Sequence, residues 1–245
     1  MESKSYWEKS TPWAYQQEKL TYEIRRKMRY ELQDYMAEAI GFDRYAGKKI
    51  LELGCGAGID SVEFAKNRAD VTAVDFTDNS IRLTKKSFKE AGLTANILEC
   101  DGRNLEFPDN TFDVVYSFGV LHHIIEIERV LAEITRVLKK EGEGIFMVYN
   151  KDSLLNAYSI LYLHRNEGLS ESELATKYSE RNLGNPYTRL FTRTEAESLF
   201  GLYFERIEIE TYYTVIDVKD QRKLKISAPN ALGWHHIIHC RSPTK

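Results

Sequence analysis

The feature that most constrains the fold is a strand, a glycine-rich turn and a helix that follow one another in residues 48–66. An apolar stretch at 48–53 leads into Gly54, Gly56 and Gly58, and the pattern then becomes helical from residue 59. Because glycine has no side chain, the backbone can turn tightly there and approach a ligand closely. The helix that follows points its free N–H groups and the positive end of its dipole toward that ligand. This order of elements predicts a binding site for a nucleotide cofactor.

The glycine spacing indicates which cofactor the turn accepts. The dinucleotide-binding pattern is G-x-G-x-x-G, whereas this chain has G-x-G-x-G and places Ile59 where the third glycine would stand. A second strand-like run ends at Asp75, about 20 residues after Gly54, where a carboxylate can accept hydrogen bonds from ribose hydroxyls. The spacing disfavours NAD, so a nicotinamide-dependent oxidoreductase is kept only as an alternative.

Four stretches of the chain carry a family resemblance. ELGCGAG, VTAVDF, LECDGRNLEFPDNTFDVVYSFGVLHHI and ERVLAEITRVLKKEGEGIFMVY resemble class I S-adenosylmethionine-dependent methyltransferases. More narrowly, they are similar to the small-molecule enzymes of ubiquinone and menaquinone biosynthesis. The resemblance is close over residues 48–150 and generic elsewhere. It implies S-adenosylmethionine as the cofactor and in-line methyl transfer to a small-molecule acceptor.

Strand-like and helical patterns alternate through the same region. Strands are predicted at 48–53, 70–75, 95–100, 112–117 and 143–149, and helices at 59–67, 78–91 and 126–139. This alternation is typical of an α/β fold, a doubly wound parallel sheet with helices on both faces. The resemblance implies the Rossmann-like methyltransferase fold, with seven mostly parallel strands and an antiparallel edge strand. Runs at 203–213 and 233–240 would form an antiparallel hairpin at the sheet edge.

The remaining segments flank this sheet. Residues 1–46 are aromatic and charged and are predicted to form an N-terminal helical cap, and residues 47–245 form the methyltransferase domain. Within it, residues 151–200 are less regular and are predicted to be a substrate-pocket insertion. Thr194 and Glu197 have the spacing of a capping box at a helix start. No linker separates a second domain.

Composition and charge disfavour several classes of protein. The 245 residues carry a formal net charge of −3, which argues against a dedicated nucleic-acid-binding protein. Cys55, Cys100 and Cys240 lie far apart, so neither a disulfide framework nor a zinc site is expected, and no metal is predicted. The N-terminus lacks the apolar run of a signal peptide, and no segment reaches the length of a membrane span. A cytoplasmic enzyme is therefore expected.

The resemblance assigns cofactor contacts to residues after the first four strands. The glycine turn and Glu52 would meet the amino-acid end of the cofactor, and Asp75 the ribose hydroxyls. Phe76 would pack on the adenine, Asp101 and Gly102 would bind its amino group and a ring nitrogen, and the Ser117 carbonyl would accept from the ammonium group. The full predicted set is Glu52, Gly54, Gly56, Gly58, Asp75, Phe76, Asp101, Gly102 and Ser117.

The catalytic and acceptor-binding residues are predicted on less specific grounds. His122 and His123 directly follow the fourth strand, where ligands of open α/β sheets lie, and His122 is favoured as a general base for a hydroxyl acceptor. The predicted acceptor-binding residues are Tyr15, Tyr149, Tyr158, Tyr162 and Arg189. The segment Asn185-Pro186-Tyr187 is interpreted as a loop turn. A binding protein of the same fold that has lost catalysis is a further alternative.

Overall fold

The computed structural model describes residues 2–10, 19–180, 185–218, 222–226 and 230–244. Strands alternate with helices through its centre. The nine strands are β1 Lys49–Leu53, β2 Asp70–Asp75, β3 Asn96–Glu99, β4 Phe112–Phe118, β5 Leu138–Tyr149, β6 Phe204–Tyr212, β7 Val215–Val218, β8 Arg222–Lys225 and β9 His235–Pro243. Strands β7 and β8 form a separate two-stranded hairpin, and the other seven form one sheet.

Eight α-helices surround the sheet in the described ranges. They are α1 Glu2–Ser10, α2 Tyr22–Leu32, α3 Met36–Ile40, α4 Ile59–Lys66, α5 Asp78–Ala91, α6 Ile127–Val137, α7 Glu171–Tyr178 and α8 Arg193–Phe200. A π-helix, Leu155–Tyr162, and 3₁₀ turns at Phe42–Tyr45, Leu121–His123 and Asn230–Leu232 complete the set. Among the described residues, no helix combines the length and apolarity needed to cross a membrane.

The strand order is β3-β2-β1-β4-β5-β9-β6. Strands β3, β2, β1, β4 and β5 are parallel, and β9 is antiparallel to both β5 and β6. This confirms the predicted seven-stranded, mostly parallel, Rossmann-like sheet. The antiparallel strand lies one place in from the edge, because β9 inserts between β5 and β6. The chain leaves β1 first toward β2 and later toward β4, so the order reverses between β1 and β4.

Alternate side chains of the central strands enter two cores, one on each face of the sheet. Ile50 of β1 and Tyr116 of β4 belong to the core beneath α4, and Leu51 and Val115 to the core beneath α6. Each of these four side chains is fully buried. Burial on both faces explains why these strands are apolar throughout instead of alternating with polar residues.

The predicted element boundaries hold within a few residues except at two places. Strand β5 already begins at Leu138, directly after α6, so the segment predicted as the end of a helix and a turn is extended backbone. The capping box lies at Thr192 and Glu195, two residues before the predicted pair. Thr192 has the extended backbone that an N-cap requires, and its side chain accepts from the Glu195 N–H.

The N-terminal helices pack beside the glycine turn. Helix α2 carries three arginines that belong to the predicted N-terminal cap. Arg25 is buried and donates to Ser87 on α5, Arg26 binds Glu63 on α4, and Arg29 binds Asp60 at the start of α4. All three arginines thus form ion pairs or hydrogen bonds that hold α2 against the sheet domain.

Candidate active site

A cavity of about 1810 Å³ opens at the carboxyl ends of β1, β2 and β4. This is the point where the strand order reverses, which is where open α/β sheets bind ligands. Its walls come from α1 and α2, from the glycine turn after β1, and from the segments after β2, β3 and β4. Ser179, Glu180, Pro186 and Tyr187 complete the wall. The volume exceeds that of an ordinary small-molecule pocket, so one cavity can hold a cofactor and an acceptor together.

The glycine turn forms one end of this cavity. Gly54, Gly56 and Gly58 all have positive φ, between 54° and 78°, in the region that favours glycine. A Cβ on Gly58 would lie 2.7 Å from the Thr84 side chain, so close packing of α5 requires this glycine. No atom lies within 4 Å of a Cβ placed on Gly56, so there is open space on that side of the residue for a ligand. Gly54 and Gly56 line the cavity, whereas Gly58 does not.

Asp75 ends β2 beside the turn and lines the cavity. Its Oδ2 accepts from the Gly56 N–H at 3.0 Å, and its Oδ1 accepts from the Thr77 N–H at 3.0 Å and the Thr77 hydroxyl at 2.8 Å. Burial raises the pKa of this carboxyl, and the hydrogen bonds from Thr77 and Gly56 oppose that shift. A carboxylate offers about four acceptor positions, so this rigidly held group retains capacity for a ribose hydroxyl. Gly56 and Asp75 together fit a nucleoside cofactor.

Glu52 lies beneath the turn and also reaches the cavity wall. It is 4% exposed and accepts a hydrogen bond from the Ser61 hydroxyl. Burial, followed by the nearby charge of Asp60, raises the pKa of Glu52 well above its usual value. The carboxyl therefore keeps a proton more readily than a surface glutamate.

The other predicted cofactor residues divide into two groups. Phe76, Asp101 and Gly102 line the cavity. Asp101 is paired with Arg103, whose hydrogen bond lowers the pKa of the Asp101 carboxyl. Ser117 is fully buried, does not line the cavity, and donates its hydroxyl to the Leu53 carbonyl at 2.9 Å. The roles predicted for these four residues stay predictions.

The two adjacent histidines lie in different surroundings. His122 is fully buried and lies outside the cavity wall, with its ring 3.9 Å from that of Tyr149. Neither of its ring nitrogens has a well-formed hydrogen bond. Burial, followed by repulsion from His123 and His235, holds the pKa of His122 well below its usual value, and a contact with the Met147 carbonyl opposes this only in part. The preference for His122 as the base facing the acceptor is wrong, because a side chain without access to the cavity cannot touch the acceptor.

His123 is the histidine at the cavity wall. Its Nδ1 lies 3.0 Å from the Tyr187 carbonyl oxygen, and its Nε2 lies 3.3 Å from Glu180 Oε1. The same Glu180 oxygen accepts from the Tyr149 hydroxyl at 2.5 Å. The Trp7 ring of α1 lies 4.8 Å from the imidazole. Tyr149, Glu180, His123 and Trp7 together form another part of the cavity wall.

Several predicted acceptor-binding residues lie elsewhere. Tyr158 and Tyr162 are 41% and 53% exposed, stack on each other and do not line the cavity. Their placement in the acceptor pocket is wrong, because the π-helix buries its other face. Arg189 also lies outside the cavity, with its guanidinium over the Phe191 ring. Tyr15 lies outside the described residues.

Three wall residues were not identified from the sequence. Arg29 faces the cavity and binds Asp60, which also accepts hydroxyl groups from Tyr30 and Tyr116 at 2.8 Å each. Glu180 has no recognisable signal in the sequence, and Trp7 is predicted only as part of the aromatic N-terminal cap. The Asn185-Pro186-Tyr187 segment was noticed but interpreted as a turn, whereas the Asn185 amide lies 3.2 Å from His123 Nδ1.

Comparison with known proteins agrees with this geometry. Residues 51–146 match a family model described as "Methyltransferase domain". The chain is 34% identical to a phosphatidylethanolamine N-methyltransferase of Cereibacter sphaeroides, over 41% of this chain and 50% of that protein. It is 33% identical to the ubiquinone/menaquinone biosynthesis C-methyltransferase UbiE of Paraburkholderia phymatum, over 46% of this chain and 49% of that one. The chain thus spans half or less of the length of these curated relatives.

Solved structures share the whole architecture. The PH0226 protein of Pyrococcus horikoshii has a TM-score of 0.60 and 23% identity, covering 89% of this chain and 91% of its own. A SAM-dependent methyltransferase of Methanosarcina mazei has a TM-score of 0.59 and 20% identity, covering 81% and 93% respectively. At these identities the likeness shows the fold, and the family follows from the sequence match over the cofactor region. Together, the match to a methyltransferase domain over residues 51–146 and the shared fold support a class I S-adenosylmethionine-dependent methyltransferase domain there, and they indicate S-adenosylmethionine as its cofactor.

Proposed function

We propose that this protein transfers the methyl group of S-adenosylmethionine to a small-molecule acceptor. The main support for the proposal is a single cavity whose two ends are lined by different kinds of residue. One end is the glycine turn with Asp75, which fits a nucleoside. The other is the Tyr149, Glu180, His123 and Trp7 group, which offers polar atoms between aromatic rings.

The cofactor would be held by residues from successive strand ends. The Gly54 and Gly56 backbone would meet its amino-acid portion, Asp75 its ribose, and Phe76, Asp101 and Gly102 its base. Arg29, fixed by Asp60 at the same wall, adds a positive charge for a carboxylate. Bound in this way, S-adenosylmethionine supplies a methyl group on an activated sulfonium that an acceptor atom takes in one in-line displacement.

The chain contributes mainly alignment and exclusion of water. Trp7 covers the His123 ring on the side of α1, and Tyr149 packs beneath it. The His123 Nε2 and the Glu180 carboxylate are the polar atoms there that would meet the acceptor. They suit a hydroxyl, amine or thiol, each of which can hydrogen-bond to nitrogen or carboxylate.

A small acceptor with an apolar body is supported by the aromatic walls and by the relatives. Phe118, Tyr187 and Tyr213 add further rings to the cavity. Proteins similar to this chain are named as quinone, sterol and phosphatidylethanolamine methyltransferases. That a nucleic acid is not the acceptor, and that the enzyme works in the cytoplasm, stay predictions from the charge and the N-terminal sequence.

Calorimetry with S-adenosylhomocysteine tests the cofactor assignment. Asp75→Asn keeps the shape of the side chain but removes its charge. Because a hydrogen bond to a charged group contributes roughly 1.5–3 kcal/mol, the affinity for S-adenosylhomocysteine should fall about tenfold or more. Asp70→Ala, at the exposed opposite end of the same strand, should bind as the wild type does. Equal affinity in Asp75→Asn, or a stronger thermal shift with NADH than with S-adenosylhomocysteine, would contradict the assignment.

The acceptor itself can be found by labelling. The purified protein is incubated with methyl-labelled S-adenosylmethionine and a metabolite extract, and labelled products are identified by mass spectrometry. We expect label in a small molecule with an apolar skeleton. Label found only in RNA or protein would overturn the small-molecule proposal while leaving the cofactor assignment intact.

A further inference from the structure

Three side chains at the acceptor end bring metal-binding atoms together. One ligand atom each from His122, His123 and Glu180 lies within 4.8 Å of the other two. The His123 Nε2 and Glu180 Oε1 are 3.3 Å apart. Ligands of a tetrahedral metal with bonds of about 2.1 Å lie about 3.4 Å apart, so this pair already has the required spacing.

Within the described part of the chain, the one polar contact of the His122 ring is with the Met147 carbonyl. The side chain is fully buried, and both ring nitrogens lack a well-formed hydrogen bond. Buried polar groups are nearly always satisfied, so each exception calls for a missing partner. The ring lies 4.1 Å from the His123 ring, which points to a partner shared between the two imidazoles.

The second ligand is oriented as metal-bound histidines usually are. The Tyr187 carbonyl, 3.0 Å from His123 Nδ1, can only accept a hydrogen bond. The Thr188 hydroxyl and the Asn185 amide also lie near this nitrogen, at 3.1 and 3.2 Å. In the tautomer with the proton on Nδ1, the Nε2 lone pair beside Glu180 is available to a metal. Glu180 is held in turn by the Tyr149 hydroxyl. Hydrogen bonds of this kind, in which a carbonyl accepts from a histidine ligand or a hydroxyl donates to a carboxylate ligand, fix ligand orientation around protein-bound metals.

We propose that His122, His123 and Glu180 bind a divalent transition metal, with Zn²⁺ as the best fit, at the acceptor end of the cavity. Two imidazoles and one carboxylate are a common ligand set of catalytic zinc, which leaves a fourth position open. Imidazole ligands disfavour Mg²⁺ and Ca²⁺, which prefer oxygen. Cysteine spacing could not reveal this site, because its ligands are two adjacent histidines and a distant glutamate.

The open position would face the cavity, since His123 and Glu180 line it and His122 lies behind. If the proposed methyl transfer is correct, an acceptor oxygen or sulfur would occupy this position beside the methyl group. In the metal-bound state His123 Nε2 is a ligand and does not act as a base. This last step rests on the proposed function, whereas the metal site itself does not.

Metal binding is tested on the full-length protein after treatment with a chelator. Zn²⁺ is titrated by calorimetry, and Co²⁺ by the visible absorption bands of tetrahedral cobalt. We expect one equivalent of each to bind. Glu180→Gln, which is near-isosteric and partly exposed, should fold and bind Zn²⁺ at least tenfold more weakly, and His122→Asn should lose the tetrahedral cobalt bands.

His164→Asn is the matched control. That histidine also faces a glutamate, Glu167, at 2.7 Å, but it lies outside the cavity. Its variant should bind Zn²⁺ as the wild type does. Absence of stoichiometric binding, or equal binding by wild type and Glu180→Gln, would overturn the metal site. Binding of S-adenosylhomocysteine to the chelated protein is measured separately, so failure of the metal site and failure of the proposed function remain distinguishable.

Discussion

At the scale of single residues, the turn Leu121–His123 sends two neighbouring imidazoles into different surroundings. His123 reaches the cavity, and His122 is enclosed by Tyr149 and His123. A 3₁₀ turn moves each successive side chain by about a third of a circle. The sequence predicts that one of the pair is functional, but which one depends on this local geometry.

Replacement of Gly58 in the glycine turn is expected to destabilise the fold. Its φ of +70° strains any residue with a Cβ, and the added atom would lie 2.9 Å from the Thr84 backbone. Gly58→Ala should therefore lower the free energy of unfolding by about 2–5 kcal/mol. Gly47→Ala has the same strain at φ +73° but open space, so it should cost only about 1–2 kcal/mol. Urea unfolding of the two variants measures the difference, and equal losses would remove the packing argument.

His236 gives the fold a sensitivity to acid. Burial, followed by the charge of Arg193, lowers the pKa of this imidazole to about 4. The unfolded chain binds this proton near pH 6.5 and the folded chain only near pH 4. The contribution of His236 to the free energy of unfolding is therefore fully present above pH 6.5. As the pH falls from 6.5 to 4, about 3 kcal/mol of this contribution is lost.

The variant His236→Gln should flatten that part of the stability curve. Unfolding free energies at pH 7 and pH 4 are compared in the cofactor-free protein. Thr211→Val removes the hydroxyl 2.8 Å from His236 Nδ1 but keeps the imidazole, so its acid sensitivity should persist. An unchanged pH slope in His236→Gln would show that other groups govern acid unfolding.

Cofactor-site residues could be predicted from the sequence because they are local. The glycine turn and Asp75 follow directly from the order of strand, turn and strand. The residues of the acceptor end, in contrast, come from distant parts of the sequence. Glu180 contacts His123 although the two residues lie 57 positions apart in the sequence, and no periodicity in the sequence indicates the contact.

At the scale of elements, helix α2 is joined to α4 by buried charges. Arg26 binds Glu63 through two nitrogens, and Tyr22 donates to the same carboxylate. Arg29 binds Asp60, whose side chain is 4% exposed. A carboxylate buried to this degree depends on its partners, because removal of one leaves a charge without compensation.

The variant Arg29→Met should lower the free energy of unfolding by about 3 kcal/mol, the lower end for a broken buried pair because the guanidinium remains 24% exposed. Adding Asp60→Asn should recover part of the loss, because no buried charge then remains. Lys27→Met, on the same helix but 74% exposed, should change stability by less than about 0.5 kcal/mol. Strictly additive losses in the double variant would refute the coupling.

The apolar pattern of the π-helix does not indicate which of its sides is buried. Tyr158 and Tyr162 share a face, as their spacing predicts, and they stack at 5.7 Å. The segment also places Leu155 and Ile160 on its buried side. Because apolar residues occupy both sides, the pattern cannot tell which side faces the protein, and the prediction chose the wrong one.

At the scale of the whole molecule, helix α1 closes one side of the cavity. Trp7 contacts His123, and Glu8 accepts from the Asn79 N–H at the start of α5. The predicted cap, residues 1–46, stays a prediction as a domain. Its contacts nevertheless connect the two ends of the cavity, since α1 touches both the segment after β2 and the acceptor end.

Deleting residues 1–19 should leave the sheet domain folded and impair turnover. Loss of Trp7 and its neighbours opens the cavity to water, so we expect the KM for S-adenosylmethionine to rise about tenfold, equivalent to about 1.4 kcal/mol. Circular dichroism checks folding and steady-state kinetics check turnover. Trp7→Ala should reproduce part of the defect, and full activity in the truncated protein would show that the cover is dispensable.

Strand β9 lies between β5 and β6 although it follows both in the chain. A ribosome therefore produces both flanking strands before the strand that joins them. Until residue 235 has emerged, the nascent chain exposes unpaired strand edges, which other chains can join. We expect nascent chains halted before β9 to bind chaperones and remain sensitive to protease, and chains that include it to become resistant in one cooperative step.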